Sequence, residues 1–422
     1  MSDKKRNVPV LRFNGFSDAW EQRKLGEDSD VRDGTHDSPK YFHKGHPLVT
    51  SKNLKDFGLD LSDISFISNE DFESINKRSK VHVGDILFGM IGTIGNPVQL
   101  TREDFAIKNV ALIKEKQNIL NIFLIQLLKS AVFDRYIRNE NTGGTQKFLS
   151  LSKIRDFHFF CPSLKEQNEI SSFFKHLDNT IALHQRKLDA LKQMKKGFLQ
   201  QLFPESGEKL PRVRFTGFQE EWEQREFGDV LIFSVPNNNF PRASLNYEEG
   251  IIKNIHYGDV LMKFDSVVDV RTSNIPFVTN GQLESFTNQF LQNGDIVIAD
   301  TAEDKITGKA IEVCGINNTS VVSGLHTMVA RPNISFASRY LGYYLNSYSY
   351  RKQLLPLMQG IKVLSISKSN ISKTTLCFPK NAIEQERIGD FFKQLDKTML
   401  LHQNRLTKLT TLKKAYLKIM FI

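Results

Sequence analysis

Residues 166–203 read EQNEISSFFKHLDNTIALHQRKLDALKQMKKGFLQQLF, and residues 384–421 read EQERIGDFFKQLDKTMLLHQNRLTKLTTLKKAYLKIMF. About half of the aligned positions are identical, which is more than shared helical propensity would produce. Neither copy contains a proline, and apolar side chains recur at heptad spacing in both. The sequence therefore contains an internal duplication, and each copy predicts one long helix with an apolar stripe.

A second repeated block lies well upstream of each helix. Residues 9–26 read PVLRFNGFSDAWEQRKLG, and residues 211–228 read PRVRFTGFQEEWEQREFG. The stretches in between share little beyond a Gly-Asp-Ile turn, at Gly84 and Gly294, and a Ser-rich run (LSLSK and LSISK) before Pro162 and Pro379. The order is thus a framing block, a variable domain and a repeated helix, occurring twice.

The variable stretches contain short β-branched and aromatic runs broken by Gly, Asn and Asp, with helical segments near 119–137 and 336–353. The predicted fold class is therefore α+β, with two mixed strand-rich domains joined by two long antiparallel coiled-coil helices in a pseudo-twofold internal repeat. The predicted spans are 1–163 for the first domain, 164–204 for the first helix, 205–380 for the second domain and 381–422 for the second helix.

The seam between the helices is predicted from the heptad positions. These are Ile170, Phe174, Leu177, His184, Leu188 and Leu191 in the first copy, and Ile388, Phe392, Leu395, His402, Leu406 and Leu409 in the second. The two histidines occupy equivalent positions and permit a metal or catalytic interpretation. A polar residue that fixes coiled-coil register explains them better.

Charge and cysteine content narrow the class of protein. Lys and Arg number 57 against 47 Asp and Glu, so the net charge is +10, which favours a polyanionic partner. The three cysteines are far apart and lack CxxC spacing, which is typical of free thiols in a reducing compartment. No long apolar run and no secretory leader is evident, so we expect a cytoplasmic protein without a membrane span.

Catalytic motifs are missing from the sequence. There is no Gly-x-x-x-x-Gly-Lys-Ser/Thr loop, no Asn-Pro-Pro-aromatic tetrapeptide and no Cys/His cluster. The glycines of 89–95 are spaced like a phosphate loop, but no Lys-Ser/Thr follows, so a hairpin is expected instead. Glu303-Asp304-Lys305 resembles a fragment of a nuclease site but lacks the upstream Pro-Asp.

Taken together, these motifs resemble the specificity (S) subunit of type I restriction–modification systems. The matching elements are the Arg-Phe-x-Gly-Phe…Trp-Glu blocks, the Gly-Asp-Ile turns and Gly-Thr-His-Asp-Ser-Pro at 34–39. They also include the closing segments at 144–153 and 360–368 and the Glu-Gln…Phe-Phe…Leu-Asp helices. The resemblance extends over 9–421.

The resemblance implies a non-catalytic subunit in which each variable domain is a target recognition domain for one half of a bipartite, asymmetric DNA sequence. It implies double-stranded DNA, two modification (methyltransferase) subunits and restriction (motor and nuclease) subunits as partners, with adenine as the methylated base. S-adenosylmethionine, ATP and Mg²⁺ are then expected on those partners, and no cofactor or metal on this chain.

We predict DNA contacts from polar loop residues of both domains. In the first domain they are Thr35, His36, Lys52, Asn53, Thr93, Thr145, Gln146 and Lys147; in the second they are Tyr257, Lys305, His326, Gln359 and Lys362. Each of these also fits a turn or capping role. Two other functions stay open at this point: a self-sufficient nuclease or methyltransferase, and a coiled-coil scaffold that binds protein.

Overall fold

The structure is a computed structural model that describes residues 7–55, 58–92, 94–140 and 148–422. The chain divides into two compact units. The first consists of Met1–Gln185 with Asn404–Ile422, and the second of Arg186–Gln403. Each unit thus combines one variable stretch with a segment of each repeated helix.

The elements described from residue 7 to residue 201 belong to the first domain and the first long helix. The strands are β1 (Glu21–Lys24), β2 (Asp30–Asp33), β3 (His46–Val49), β4 (Leu54–Lys55), β5 (Gly58–Leu59), β6 (Ser65–Ile67), β7 (Ile86–Gly89), β8 (Gly95–Gln99), β9 (Ala106–Ile107), β10 (Val110–Lys114) and β11 (His158–Cys161). The helices are α1 (Leu25–Asp28), α2 (Asn69–Ser79), α3 (Asn121–Leu128), α4 (Ala131–Glu140), α5 (Leu151–Arg155) and α6 (Leu164–Gln201).

The elements described from residue 202 onward form the second domain and the second long helix. The strands are β12 (Glu223–Glu226), β13 (Leu231–Val235), β14 (Leu245–Asn246), β15 (Ile252–Ile255), β16 (Val267–Asp269), β17 (Phe277–Val278), β18 (Ile296–Ala299), β19 (Thr301–Ala302), β20 (Ala310–Cys314), β21 (Ser320–Ser323), β22 (Thr327–Pro332), β23 (Leu364–Ser365) and β24 (Thr375–Phe378). The helices are α7 (Phe227–Val230), α8 (Tyr257–Met262), α9 (Tyr340–Leu345), α10 (Tyr348–Leu354), α11 (Lys368–Ser372) and α12 (Ala382–Ile419).

The two domains share most of their sheet topology, and the second domain has one more strand in each of its two sheets. The main sheet has the order β2-β10-β7-β8 in the first domain and β13-β22-β18-β20-β16 in the second. A smaller sheet pairs β3 with β6 antiparallel and with β9 parallel, and likewise β15 with β17 antiparallel and with β21 parallel. The variable stretches therefore share a backbone plan although their sequences barely resemble each other.

The Gly-Asp-Ile turns begin corresponding strands, β7 and β18. Gly84 and Gly294 have φ of 94° and 90°, a left-handed conformation that glycine adopts without strain. The aspartate that follows accepts a backbone hydrogen bond that closes the turn, at 2.8 Å in both domains. Asp85 also forms an ion pair with Lys114, and Asp295 with Arg331, each at 2.7 Å. The neighbouring strand thus supplies a cation to each turn.

The repeated framing blocks form the base of each domain. The Glu-Gln-Arg segment after each tryptophan is a strand, β1 or β12, which pairs antiparallel with the last strand of its domain, β11 or β24. Trp20 and Trp222 are buried, each at 2% exposure. The start and the end of each variable stretch are therefore held together before the long helix begins.

An ion pair joins each framing block to its helix. The Arg12 guanidinium donates to both oxygens of Glu166 at 2.6 and 2.7 Å, and Arg214 does the same to Glu384 at 2.6 and 2.8 Å. The next residue, Gln167 or Gln385, accepts from a backbone N–H of its own domain. The repeated Glu-Gln pair therefore fixes where the helix leaves the domain.

The two long helices contact each other within each unit. In the first unit Phe173 lies 5.0 Å from Tyr416 between ring centroids, and Lys413 pairs with Asp178 at 2.6 Å. In the second unit Phe198 lies 4.9 Å from Phe391, and Lys195 pairs with Asp396 at 2.6 Å.

The seam residues fall into two groups by burial. Ile170, Phe174, Leu177, Leu188, Ile388, Phe392, Leu395 and Leu406 are buried, whereas His184, Leu191, His402 and Leu409 are half-buried. Ile170 and Phe174 belong to the core of the first domain, and Ile388 and Phe392 to that of the second. The start of each helix is therefore part of a domain core.

The α+β class, the two strand-rich domains and the two long helices are confirmed. The hairpin predicted at 89–95 is also confirmed, since β7 and β8 pair antiparallel with Gly89 opposite Gly95. The helical segments predicted near 119–137 and 336–353 are also confirmed. Each is a pair of short helices, with Ser130 or Ser347 at the break, where the serine hydroxyl bonds to backbone groups and competes with helix continuation.

Candidate nucleic-acid interface

The loop 34–39 follows β2 and lies against the end of β9. A side chain at Gly34 would bring its Cβ to 2.4 Å from the Ile107 carbonyl oxygen, so only glycine fits. Thr35 continues this close approach, because its N–H donates to the same carbonyl at 3.0 Å. The Thr35 hydroxyl accepts from the Asp37 N–H at 3.1 Å and shapes the loop.

His36 projects from this loop, and its side chain is 54% exposed. Its ring nitrogens lie 2.9 Å from Asp33 Oδ2 and 2.8 Å from Asn109 Oδ1. Arg78 binds the other oxygen of Asp33. The hydrogen bonds to Asp33 and to Asn109 raise the pKa of His36, so a cation is favoured at this exposed position.

The other first-domain candidates differ in how far their side chains are exposed to solvent and bonded within the chain. The Lys52 ammonium is half-exposed and lies 3.1 Å from the exposed Asp63 carboxylate. Asn53 is 2% exposed, and its amide binds the Thr50 N–H and the Asp60 carbonyl at 3.0 Å each, so it holds a turn. Thr93, Thr145, Gln146 and Lys147 lie outside the described residues.

In the second domain the structure brings Tyr257 and His326 together. Their rings form an edge contact at 5.3 Å, and the His326 imidazole is 48% exposed. His326 has a φ of 53° and directly precedes β22, as Asn109 with its φ of 56° precedes β10. Because these strands correspond in the two sheets, His326 and Asn109 occupy equivalent turns. His326 was among the contacts predicted from the sequence, whereas Asn109 was not.

The remaining second-domain candidates lie on two loops joined by a strand pair. The short strand β23 follows the loop of Gln359 and Lys362, and it pairs with β19, which precedes Lys305. Lys305 and Lys362 are both exposed. Asp300 connects this region to the turn of His326, since its N–H donates to the His326 carbonyl at 3.2 Å and its own carbonyl accepts from the Ile366 N–H at 2.9 Å.

A cluster of cations beside Tyr257 escaped sequence reasoning. Asp259, with a side chain 2% exposed, pairs with Arg242 at 2.5 Å and with Lys263 at 3.2 Å. Both cations also lie over the ring of Tyr247, at 5.4 and 4.3 Å. Two exposed cations around one buried carboxylate leave a net positive patch. The available signal was Asp259 itself, in the His-Tyr-Gly-Asp segment 256–259.

Across the ranges that the structure describes, no three His, Cys, Asp or Glu residues are grouped so that they could hold a metal ion. Asp304 of the nuclease-like fragment accepts from the Ile306 N–H at 2.8 Å, which is a turn contact. Of the helices in those ranges, none has the length and apolar character needed to cross a membrane.

A model of the type I restriction modification DNA specificity domain matches residues 17–193 and 219–411. A putative type I restriction enzyme MjaX specificity subunit from Methanocaldococcus jannaschii is 22% identical over 261 residues, which cover 58% of this chain and 61% of that protein. The type I restriction enzyme MjaVIII specificity subunit of the same organism is 19% identical over 386 residues, which cover 89% of this chain and 85% of that one.

Solved structures with the same fold are also found. The crystal structure of a type I restriction-modification S subunit from M. genitalium has a TM-score of 0.59 at 14% identity, and the match covers 98% of this chain and 99% of that one. A chain from a study of complex assembly and conformational transition of the type I R-M system has a TM-score of 0.55 at 16% identity, over 94% and 96% of the two chains. At these identities the likeness is one of fold.

Proposed function

The chain belongs to the type I restriction modification DNA specificity family, and we propose from this premise that it is the DNA specificity subunit of a type I restriction–modification complex. Each strand-rich domain is a target recognition domain that binds one half of a bipartite target. The observation that carries the proposal is the pair of domains that share the order of four main-sheet strands, differ in their loops and are each held by a repeated framing block. Two domains that share a framework but differ in their loops would recognise two different half-sites, and the complete target would then be asymmetric.

The proposed contacts are the polar residues that the sequence predicts to contact DNA in the two domains, except Asn53. They are Thr35, His36 and Lys52 in the first domain and Tyr257, Lys305, His326, Gln359 and Lys362 in the second, together with Thr93, Thr145, Gln146 and Lys147. Asn53 is omitted because its amide is buried and bonded within its own turn. Lysines supply affinity through phosphates, and polar side chains at base edges supply sequence choice.

The long helices are proposed to form an antiparallel coiled coil that sets the distance between the half-sites and docks the partner subunits. The contacts in each unit support opposite directions, since residue numbers rise along α6 as they fall along α12, from Phe173–Tyr416 to Asp178–Lys413 and from Lys195–Asp396 to Phe198–Phe391. The proposed spans are 1–163, 164–204, 205–380 and 381–422 for domain, helix, domain and helix.

The chemistry is assigned to partners. We propose two modification subunits, which use S-adenosylmethionine to methylate adenine, and restriction subunits, which use ATP and Mg²⁺ to translocate and cleave DNA. This chain then contributes recognition and assembly and no catalytic residue. The working location proposed is the cytoplasm, where the DNA and these partners meet.

Salt dependence of duplex binding tests the proposal against a protein-binding scaffold. The logarithm of duplex affinity of the complex should fall linearly with the logarithm of salt concentration, with a slope of about −0.9 for each neutralised phosphate. Lys305→Ala and Lys362→Ala should each make this slope shallower by about 1. Lys209→Ala is the control, because Lys209 pairs with Glu221 in the framing block.

The measurement is fluorescence anisotropy of a labelled duplex over a salt series. Affinity without salt dependence, or no duplex binding by the assembled complex, would favour the scaffold. Sequencing of modified bases with and without the gene then gives the target: loss of methyladenine from one split, asymmetric motif is the expected result.

A further inference from the structure

Asn109 lies in the turn between β9 and β10, and the chain fixes both its backbone and its side chain. Its φ of 56° is left-handed, a conformation that asparagine tolerates better than most residues. Its N–H donates to the Thr35 carbonyl at 3.1 Å, and its Oδ1 lies 2.8 Å from His36 Nδ1. A side chain held in this way loses little further freedom when a ligand binds.

The His36 ring determines which end of the Asn109 amide points inward. Both ring nitrogens face acceptor oxygens, of Asp33 on one side and of Asn109 on the other. An imidazolium can donate from both nitrogens, whereas a neutral imidazole donates from only one. The imidazolium is therefore the form of the ring that holds Oδ1 inward. None of the described residues accepts a hydrogen bond from Nδ2 of Asn109, which leaves its two N–H groups available.

We propose that Asn109 contacts an adenine edge in the half-site of the first domain. His36, proposed above as a DNA contact, then acts through Asn109 as a positioning residue that sets the orientation of the Asn109 amide. The inference rests on the proposed function. Nδ2 donates to adenine N7, while the second lone pair of Oδ1 accepts from the adenine N6 amino group. Thr35 and Ser51 hold the turn from both sides, through the Asn109 N–H and carbonyl respectively.

Loss of the His36 proton changes this arrangement. A neutral ring that donates to Asp33 presents a lone pair to Asn109 Oδ1, so the amide must rotate and the order of its donor and acceptor is reversed. Two charged groups face the ring system: Asp33 of β2, which favours the imidazolium, and Arg78 of α2, which opposes it while binding Asp33. Recognition by the first domain therefore weakens as pH rises through the pKa of His36.

Selection from a library of randomised duplexes tests the contact in the complex with modification subunits. Asn109→Asp keeps the shape and the backbone conformation but replaces the donor with an acceptor, so one adenine should be lost from one half-site and cytosine, which offers an amino donor, should replace it. Asn288→Asp is the matched control, with the same charge change at an exposed position of φ 65° in the second domain. It should leave the first half-site unchanged.

The outcomes separate two kinds of failure. If wild type enriches no split motif, the proposed function is wrong and this inference with it. If wild type and Asn109→Asp enrich the same motif, the inference alone is overturned. The second half-site, which should persist in Asn109→Asp, reports that the variant complex has folded and assembled.

A pH series tests the role of His36. The ratio of affinities for the selected duplex and for one with the adenine replaced should be between about 5-fold and about 150-fold at pH near 6, and it should decline toward pH near 9. In His36→Gln the ratio should not change with pH, whereas the control His176→Gln, at an exposed site on α6, should keep the wild-type profile. Identical profiles for wild type and His36→Gln would overturn the positioning role.

Discussion

Arg12 and Arg214 show how single residues hold each domain on its helix. The Glu166 side chain is 1% exposed, and that of Arg12 is 14% exposed, so their ion pair is largely removed from water. A buried carboxylate that loses its cation keeps the full cost of desolvation, whereas replacing both partners by apolar groups removes that cost. The contribution of this pair is therefore best measured by removing one partner and then both.

Arg12→Leu should lower the free energy of unfolding of the first unit by about 3–5 kcal/mol. Urea unfolding is followed by fluorescence in a Trp222→Phe background, where Trp20 is the only tryptophan and lies in the first unit. Arg12→Leu combined with Glu166→Leu should recover most of the loss. Arg214→Leu, the matched change in the second unit, should leave the Trp20 transition in place. A loss below about 1 kcal/mol in Arg12→Leu would mean that the pair is dispensable.

Contacts between single residues were the part of the structure that the sequence predicted least. The repeat identified Glu166 and Glu384 as special but could not assign their partners, because Arg12 lies 154 residues away and nothing local encodes the contact. Asn109 carried no signal at all, since a single asparagine between two strands is ordinary in a turn. His36 was predicted as a contact because it lies in a polar loop motif, and the two acceptors that flank it became visible only in three dimensions.

At the scale of elements, a buried lysine links the long helices to the second domain. Lys195 of α6 is 6% exposed and forms ion pairs with Asp396 of α12 and with Asp265, which lies just before β16. The Tyr343 hydroxyl of α9 donates to Asp396 at 2.8 Å. Burial raises the pKa of Asp396, while Lys195 lowers it. Two helices and the domain thus share one cation.

Lys195→Met should destabilise the second unit by about 2 kcal/mol at neutral pH, less than a fully buried pair because Asp396 is still 28% exposed. Without the cation, the pKa of Asp396 rises further above its unfolded value, so the penalty is largest where the unfolded carboxylate is ionised. It should therefore shrink as pH falls below about 5.

The measurement is urea unfolding in a Trp20→Phe background, in which Trp222 reports on the second unit. Lys196→Met is the control, because the neighbouring Lys196 is exposed. Unfolding is measured at neutral pH and at a pH below about 5. If Lys195→Met lowered the free energy of unfolding equally at both, the variant would have lost the packing of the lysine stem and not its charge.

Elements were predicted well where periodicity was long and less well where turns intervene. Heptad spacing over nearly forty residues located both long helices, which are each 38 residues in length. Helices near 119–137 and 336–353 were predicted, but the breaks within them were not located, since apolar content continues across the serine that separates two helices. The common sheet topology was not predicted at all, because pairing between distant strands leaves little trace in single sequences.

At the scale of the whole molecule, each framing block forms the same hydrogen bond to the end of a long helix. In the second unit that helix directly precedes the block in the chain, and in the first unit it does not. The Val213 N–H donates to the Gln201 carbonyl at 3.0 Å in the second unit, where the chain runs directly from one to the other. The Leu11 N–H donates to the Ile419 carbonyl at 3.1 Å in the first unit, where no peptide connects them. The same contact thus forms at both places, although the chain connects the two residues directly only in the second unit.

A circular permutant tests this equivalence. Joining residue 419 to residue 11 with the sequence of 202–212, and opening the chain between Ser206 and Gly207, should preserve both unfolding transitions and duplex affinity. Opening the chain inside α6, between Gln185 and Arg186, is the control and should destabilise both units because it interrupts a helix. Loss of the second-unit transition in the first permutant would show that the direct link is required.

The ion pairs Lys195–Asp396 and Lys413–Asp178 both join α6 to α12 and occupy equivalent positions of the repeat. This equivalence has a consequence for recombination within the gene. Each pair takes its lysine from the C-terminal half of one helix and its aspartate from the N-terminal half of the other, at positions 218 residues apart in the two copies. Recombination between the two coding repeats would delete one domain with one helix and leave a half-length protein. Two molecules of that protein possess the partners for both pairs, so a homodimer could replace the duplicated chain, and its target would become a palindrome.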